Sequence, residues 1–181
     1  MQRWVVETGS EEETIALGRR LAALLVPPAW IGLEGALGAG KTRLVQGVAD
    51  GLHYPGRVRS PTFVLENRYL ADIPILHQDL YRLDAPGDEL LEGWDEHPGL
   101  VFVEWAQRAQ EHPARWVRIR FTETGPTDRR IEIEWDRASG VMREEAPSES
   151  TPTPEPSRGS KPGEPEPLPG SKPEERKADR S

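Results

Sequence analysis

The chain has 181 residues, 31 acidic against 23 basic for a net charge of −8, no cysteine, and 35% hydrophobic residues. The missing cysteines exclude a disulfide framework, a thiolate zinc site and a cysteine nucleophile. The acidic balance disfavours unaided binding to a phosphate backbone, and the apolar stretch 21–33 is broken by Pro27-Pro28 and too short to span a bilayer.

In chain order, Trp4-Val5-Val6-Glu7 reads as a short strand, and Glu7 stands where a signal peptide would need apolar residues, so a soluble cytoplasmic protein is expected. Ser10 with Glu13 three residues on forms a capping box; Glu11 and Glu12 suit the positive end of the helix that follows. Ile15, Leu21, Leu24 and Leu25 supply its apolar face and Pro27-Pro28 ends it. Trp30 to Leu33 predicts a buried strand, and Leu44, Val45, Val48 and Ala49 space a second helix to about Leu52. Phe63 to Tyr69 and Ile73 to Asp79 read as strands around the turn Ala71-Asp72, and Asp88 to Glu92 as a helical turn. Leu100 to Val103 is the most continuous apolar run and is expected to be central. Val117, Ile119 and Phe121, then Ile131, Ile133 and Trp135, alternate with charged residues across Gly125-Pro126, which predicts an antiparallel hairpin with one buried face. Its arginines and glutamates would pair weakly on the wet face.

The low hydrophobic fraction has one source. Residues 146–181 hold half of the 18 prolines and repeat Gly-Ser-Lys-Pro at 159 and 170. Such a segment cannot bury enough surface to offset ordering entropy, so the expected organisation is a domain of residues 1–145 and a disordered tail, 146–181.

Gly35-Ala36-Leu37-Gly38-Ala39-Gly40-Lys41-Thr42 matches G-x-x-x-x-G-K-[ST] in full, after a predicted strand and before a predicted helix. Glycines let the backbone wrap closely enough for its N–H groups to face phosphate oxygens, and the helix adds its positive end. Lys41 would reach the β- and γ-phosphates, and the Thr42 hydroxyl would ligate Mg²⁺. The nucleotide-binding candidates are these eight residues with the adjacent Arg43. Lys41 is also the only lysine in residues 1–145, which otherwise use arginine for every cation.

Such a site needs an acid at a strand end. Asp79 follows Ile75-Leu76-His77-Gln78, and Glu104 follows the apolar run 100–103. Chemistry suggests that Asp79 holds Mg²⁺ and Glu104 orients or deprotonates the attacking water; the metal candidates are Thr42, Asp79 and Glu104 and the catalytic ones Lys41, Asp79 and Glu104. Ser60-Pro61-Thr62 lies where switch segments of such ATPases occur, with the Thr62 hydroxyl facing metal or γ-phosphate. The histidines at 53, 77, 97 and 112 show no metal-binding spacing and read as structural or solvated.

The base is expected to be adenine. An N-K-x-D motif is impossible in residues 1–145, where the only asparagine is Asn67 and the only lysine Lys41; Asp84-Ala85-Pro86-Gly87 is too short a pattern to argue for GTP. A small-molecule P-loop kinase would want a lid rich in arginine, and residues 84–99 contain none. A nucleotide-dependent binding module without turnover is the other alternative.

Gly35 to Thr42, Ser60-Pro61-Thr62-Phe63, His77-Gln78-Asp79-Leu80-Tyr81-Arg82-Leu83 and Val103-Glu104-Trp105 occur in one order at close spacing. Together they resemble the TsaE (YjeE) family, bacterial ATPases of tRNA N6-threonylcarbamoyladenosine synthesis, over roughly residues 3–135. The resemblance implies a P-loop NTPase-like α/β fold, a mixed sheet flanked by helices. It implies weak, Mg²⁺-dependent ATP hydrolysis, ATP and ADP as ligands, and action with TsaD and TsaB, through which tRNA is met indirectly. It places Lys41 and Thr42 at nucleotide and Mg²⁺, Thr62 in the switch, Asp79 near the metal, Glu104 at the hydrolytic position and Trp105 beside the nucleotide. Ala36, Gln78 and Ala106 depart from the family's usual residues without removing a catalytic group.

Overall fold

A computed structural model describes residues 1–83, 93–94, 96–109 and 111–143. The chain divides into two units, Met1–Pro147 and Ser148–Ser181, and all described structure belongs to the first. The expected helical turn 88–92, the D-x-x-G segment 84–87, most of the lid-length segment and the tail lie outside the described residues.

Seven strands form one mixed sheet in the order β1-β7-β6-β2-β5-β4-β3 among the described residues. They are β1 Gln2–Thr8, β2 Ala29–Glu34, β3 Glu66–Tyr69, β4 Ile75–Asp79, β5 Leu100–Glu104, β6 Trp116–Glu123 and β7 Arg129–Trp135. β2 pairs in parallel with β5 and β6, and β5 with β4. β1–β7, β6–β7 and β3–β4 pair antiparallel. The expected architecture, including the C-terminal hairpin, is therefore present. β5 is buried at all five positions between two parallel neighbours, while β2 holds the middle of the order.

Helix α1, Glu11–Leu24, starts as its capping residues dictate: the Ser10 hydroxyl accepts from the Glu13 N–H at 3.1 Å. The Glu13 carboxylate accepts from the Gly9 N–H at 2.7 Å, one residue before the usual reciprocal partner. Its buried face is Leu17, Leu21, Ala22 and Leu24 with Thr14 and Gly18; Ile15 is half-buried, so the true stripe is turned from the expected one. Helix α2, Lys41–Gly51, buries Leu44, Val45, Val48 and Ala49 as spaced.

The two helices cross at glycine. A Cβ on Gly47 would lie 2.0 Å from the Ile15 carbonyl oxygen, and one on Gly18 2.3 Å from that of Leu44. Both helices pack with Ile31, Leu33, Phe102, Val117, Ile119, Ile131 and Ile133 in one core cluster. Complete burial of each such aliphatic side chain stabilises by about 1.5–3 kcal/mol. A second cluster holds the residues of opposite strand parity, Trp30, Leu76, Val101 and Val103, with Leu80, Trp94 and Ala106.

In the hairpin Ile119 faces Ile133 and Arg120 faces Glu132. Arg120 reaches Glu132 at 3.9 Å, but Arg118 turns to Glu34 at 3.1 Å. Two strands are shorter than expected: β4 begins at Ile75 rather than Ile73, and β3 at Glu66 rather than Phe63. Val64 and Leu65 N–H groups both donate to the Pro61 carbonyl, and Leu65 adopts a left-handed φ of 68°, so residues 61–65 make a turn and β3 begins at Glu66. Phe63 and Val64 are exposed on that turn.

Candidate functional site at the end of the central strands

β2 runs out at Glu34 and the chain turns through Gly35 to Gly40 into α2. Gly40, the residue before α2, is left-handed with φ 103° and caps nothing with a side chain. The first-turn N–H groups therefore have no side-chain cap competing with an anion. At Gly35 a Cβ would lie 2.9 Å from the Phe121 carbonyl oxygen, so only glycine lets the loop leave β2 there.

Lys41 is 4% exposed and folds back over its own loop. Its Nζ donates to the Gly35 carbonyl at 3.0 Å and the Ala36 carbonyl at 2.8 Å, and lies 4.4 Å from the centre of the Trp105 ring. Burial pushes its pKa down, against the opposing charges of Glu104 and Asp79. Trp105 itself has φ 60°, and its other neighbour is Tyr81, 4.9 Å between ring centres.

The parallel pairing of β4 and β5 sets Asp79 directly opposite Glu104. Both are almost fully buried. The Thr42 hydroxyl donates to Glu104 Oε1 at 2.6 Å, and His77 Nε2 lies 3.0 Å from the same oxygen. Burial pushes the Glu104 carboxyl up, but the hydrogen bond and charge of His77, the Thr42 hydroxyl and Lys41 outweigh it and hold the pKa below the ordinary value. Asp79 Oδ2 accepts from the Thr62 hydroxyl, and Oδ1 from the Tyr81 N–H at 2.7 Å. Ser60 Oγ is 2.7 Å from Thr62 Oγ1, so the whole Ser-Pro-Thr turn is tied to β4.

These groups line a cleft of about 530 Å³ whose walls are residues 37–43, 57–60, Thr62, Asp79, Glu104 and Trp105, with Glu11 and Gln46. Small-molecule sites usually run from about 300 to 1,000 Å³. The sequence candidates are thus assembled in one place. Gly35 and Ala36 contribute the carbonyls that hold Lys41. Arg43 lines the cleft while its guanidinium pairs with Glu11 at 2.8 Å and donates to Gln46 at 3.2 Å. Among the described residues no cluster of three or more His, Asp or Glu would hold a metal unaided. A Mg²⁺ site made of a hydroxyl, one or two carboxylates, phosphate oxygens and water needs none, and the Thr42, Asp79 and Glu104 oxygens suit that hard cation.

Gln78, the odd residue in a buried strand, faces away from the cleft. It donates to Glu66 at 3.0 Å and accepts from the Trp94 indole at 2.6 Å, so its burial leaves no polar group unpaired. Sequence reasoning passed over His77 as a site residue, and also Arg57 and Arg59 on the cleft wall. Strand period was the available signal for His77: two residues before Asp79, it must share that residue's side of the sheet.

A family model described as "Threonylcarbamoyl adenosine biosynthesis protein TsaE" matches residues 8–131. The chain is 40% identical over 132 residues to a Nostoc protein named tRNA threonylcarbamoyladenosine biosynthesis protein TsaE, covering 68% of this chain and 80% of that protein. It is 36% identical over 129 residues to the Bacillus subtilis protein of the same name, covering 68% and 80%. The crystal structure of Bacillus subtilis YdiB superposes with a TM-score of 0.61 at 30% identity, over 73% of this chain and 84% of that one. Every residue of the cleft lies inside the matched span 8–131.

Proposed function

The chain belongs to the TsaE family of tRNA threonylcarbamoyladenosine biosynthesis, and from that premise we propose that it binds ATP with Mg²⁺, hydrolyses it slowly, and acts with TsaD and TsaB in the cytoplasm, meeting tRNA through that complex. Residues 1–145 carry this activity. Among the described residues no helix is long and apolar enough to cross a membrane.

The observation that carries the reading is the 2.6 Å bond between Thr42 and Glu104 beneath the phosphate loop, with Asp79 in register beside Glu104. A hydroxyl that gives its proton to Glu104 keeps its lone pairs for a cation. That favours Glu104 for the metal side and Asp79, tied to Thr62, for the attacking water, the reverse of the division expected from the sequence. Bound Mg²⁺ would offset phosphate charge and orient the phosphate oxygens. Lys41 exchanges the Gly35 and Ala36 carbonyls for phosphate oxygens. Asp79 orients the water and takes its proton as the oxygen adds to the γ-phosphorus; the bond to the bridging oxygen breaks, giving ADP and phosphate. The Thr62 hydroxyl, which donates to Asp79 without ligand, would turn toward the γ-phosphate side when ATP binds and carry its turn with it.

Measuring ATP hydrolysis with and without Mg²⁺, TsaD and TsaB tests this directly. The expected result is slow Mg²⁺-dependent turnover that rises with both proteins and disappears in Lys41→Ala. tRNA modification unchanged by a folded Lys41→Ala variant would overturn it. Modification sustained by Glu104→Gln and Asp79→Asn without ATP consumption would select the binding module. Turnover stimulated by a metabolite but not by the proteins would select a kinase.

A further inference from the structure

His77 is completely buried, and the hydrolysis chemistry above does not use it. A buried imidazole needs partners for both nitrogens. Nε2 meets Glu104 Oε1 at 3.0 Å and Nδ1 meets the Tyr69 hydroxyl at 3.3 Å. Tyr69, 4% exposed, also donates to the Arg59 carbonyl at 3.0 Å, and Asn67 Nδ2 donates to that carbonyl at 3.2 Å. Tyr54 packs against the Tyr69 ring, 5.1 Å between centres, and keeps the phenol in place. Arg59 is the residue before Ser60-Pro61-Thr62.

We propose that His77 and Tyr69 are positioning residues, links in a buried line from Glu104 through His77 and Tyr69 to the Arg59 carbonyl, which fixes the metal-side carboxylate and couples it to the base of the Thr62 turn. The proposal deepens the Mg²⁺–ATP reading of the cleft and rests on it. A carboxylate held by one donor swings about that bond; Thr42 from α2 and His77 from β4 hold Glu104 from two elements. Glu104 is an acceptor, so Nε2 presents a proton to it, while Nδ1 meets the Tyr69 hydroxyl, whose own proton goes to the Arg59 carbonyl. When the Arg59 carbonyl shifts with the turn, the Tyr69 hydroxyl follows it, and the imidazole behind Glu104 tightens or loosens. Partners that orient a metal's ligands typically change metal affinity or activity by about 10–100-fold when removed.

The test uses His77→Gln, His77→Ala and Tyr69→Phe in the full chain, each checked for native circular dichroism. Calorimetry of ADP binding across a Mg²⁺ titration is expected to show the half-saturating Mg²⁺ concentration raised about tenfold in His77→Ala. His77→Gln, whose amide can still donate to Glu104, should recover part of that loss. ADP binding without Mg²⁺ should be unchanged in both. Tyr69→Phe loses a single oxygen atom. Trypsin should cut after Arg59 about fivefold faster in that ligand-free variant, because its carbonyl has lost an anchor. Wild-type Mg²⁺ dependence in both His77 variants, or wild-type cleavage at Arg59 in Tyr69→Phe, would overturn the proposal. Wild-type protein whose ADP binding ignores Mg²⁺ would instead overturn the cleft reading, and the tryptic arm would still decide the link between Tyr69 and Arg59.

Discussion

Thr42 and Glu104, 62 residues apart, share a 2.6 Å hydrogen bond at the foot of the cleft. It joins the start of α2, just after the phosphate loop, to the end of β5. Replacing Thr42 by valine keeps the shape and removes the hydroxyl. The expected outcome is a drop of about 10–100-fold in Mg²⁺-dependent turnover. Thr42→Ser should keep most of the activity, and steady-state kinetics across a Mg²⁺ series separates the two.

Glu104 gives the protein an acid-sensitive element. Its carboxyl titrates below the ordinary 4.5 because His77, Thr42 and Lys41 favour the charged form over the cost of burial. A carboxyl with a depressed folded pKa stabilises the fold above the unfolded value, and that stability is lost as pH falls through the folded one. Glu104→Gln has no proton to take up. Urea unfolding compared at about pH 6 and about pH 4 should therefore show a smaller acid loss in the variant than in wild type.

Lys41 carries the opposite burden. Burial depresses its pKa, so the charged ammonium is disfavoured in the ligand-free fold relative to the unfolded chain. Lys41→Met should leave ligand-free stability equal to wild type or higher by about 0.5–2 kcal/mol. Nucleotide at a hundred times its Kd should stabilise wild type by about 2.7 kcal/mol and the variant not at all. Thermal melts with and without Mg²⁺–ADP measure both effects.

The helix crossing tolerates no added atom. A Cβ at Gly47 would meet backbone of Ile15 at 2.0 Å, and backbone cannot rotate aside as a side chain can. Gly47→Ala is expected to lower stability by about 1–3 kcal/mol or more, read from the denaturant midpoint, although alanine is the better helix former.

The parts of the fold written in local chemistry were legible in the sequence. Ser10 and Glu13 mark the start of α1, and the glycines with Lys41 and Thr42 mark the phosphate loop, because capping and loop geometry depend on neighbours in the chain. The alternation in β6 and β7 revealed the hairpin for the same reason. What escaped depends on pairings across the sheet. Asp79 and Glu104 are each visible as strand-end acids, but their register comes from β4 and β5 lying in parallel. His77 looks like any lone histidine until that register places it beside Glu104. The late start of β3 escaped because Phe63 and Val64 have strand-like side chains, while the Pro61 carbonyl draws the Val64 and Leu65 N–H groups into a turn.

The glycine crossing of α1 and α2 divides the molecule mechanically. With carbonyl and Cα in direct contact at Gly18 and Gly47, no compressible side-chain layer lies between the helices. The phosphate-loop helix cannot slide without carrying α1, so this half serves as an anvil. Any movement in the proposed turnover would fall to the other wall of the cleft, the Arg57–Thr62 segment fastened by a few hydroxyls and one carbonyl. On the proposed reading, nucleotide would meet a fixed surface on the α2 side, and the part free to respond would be the turn that carries the exposed Phe63 and Val64.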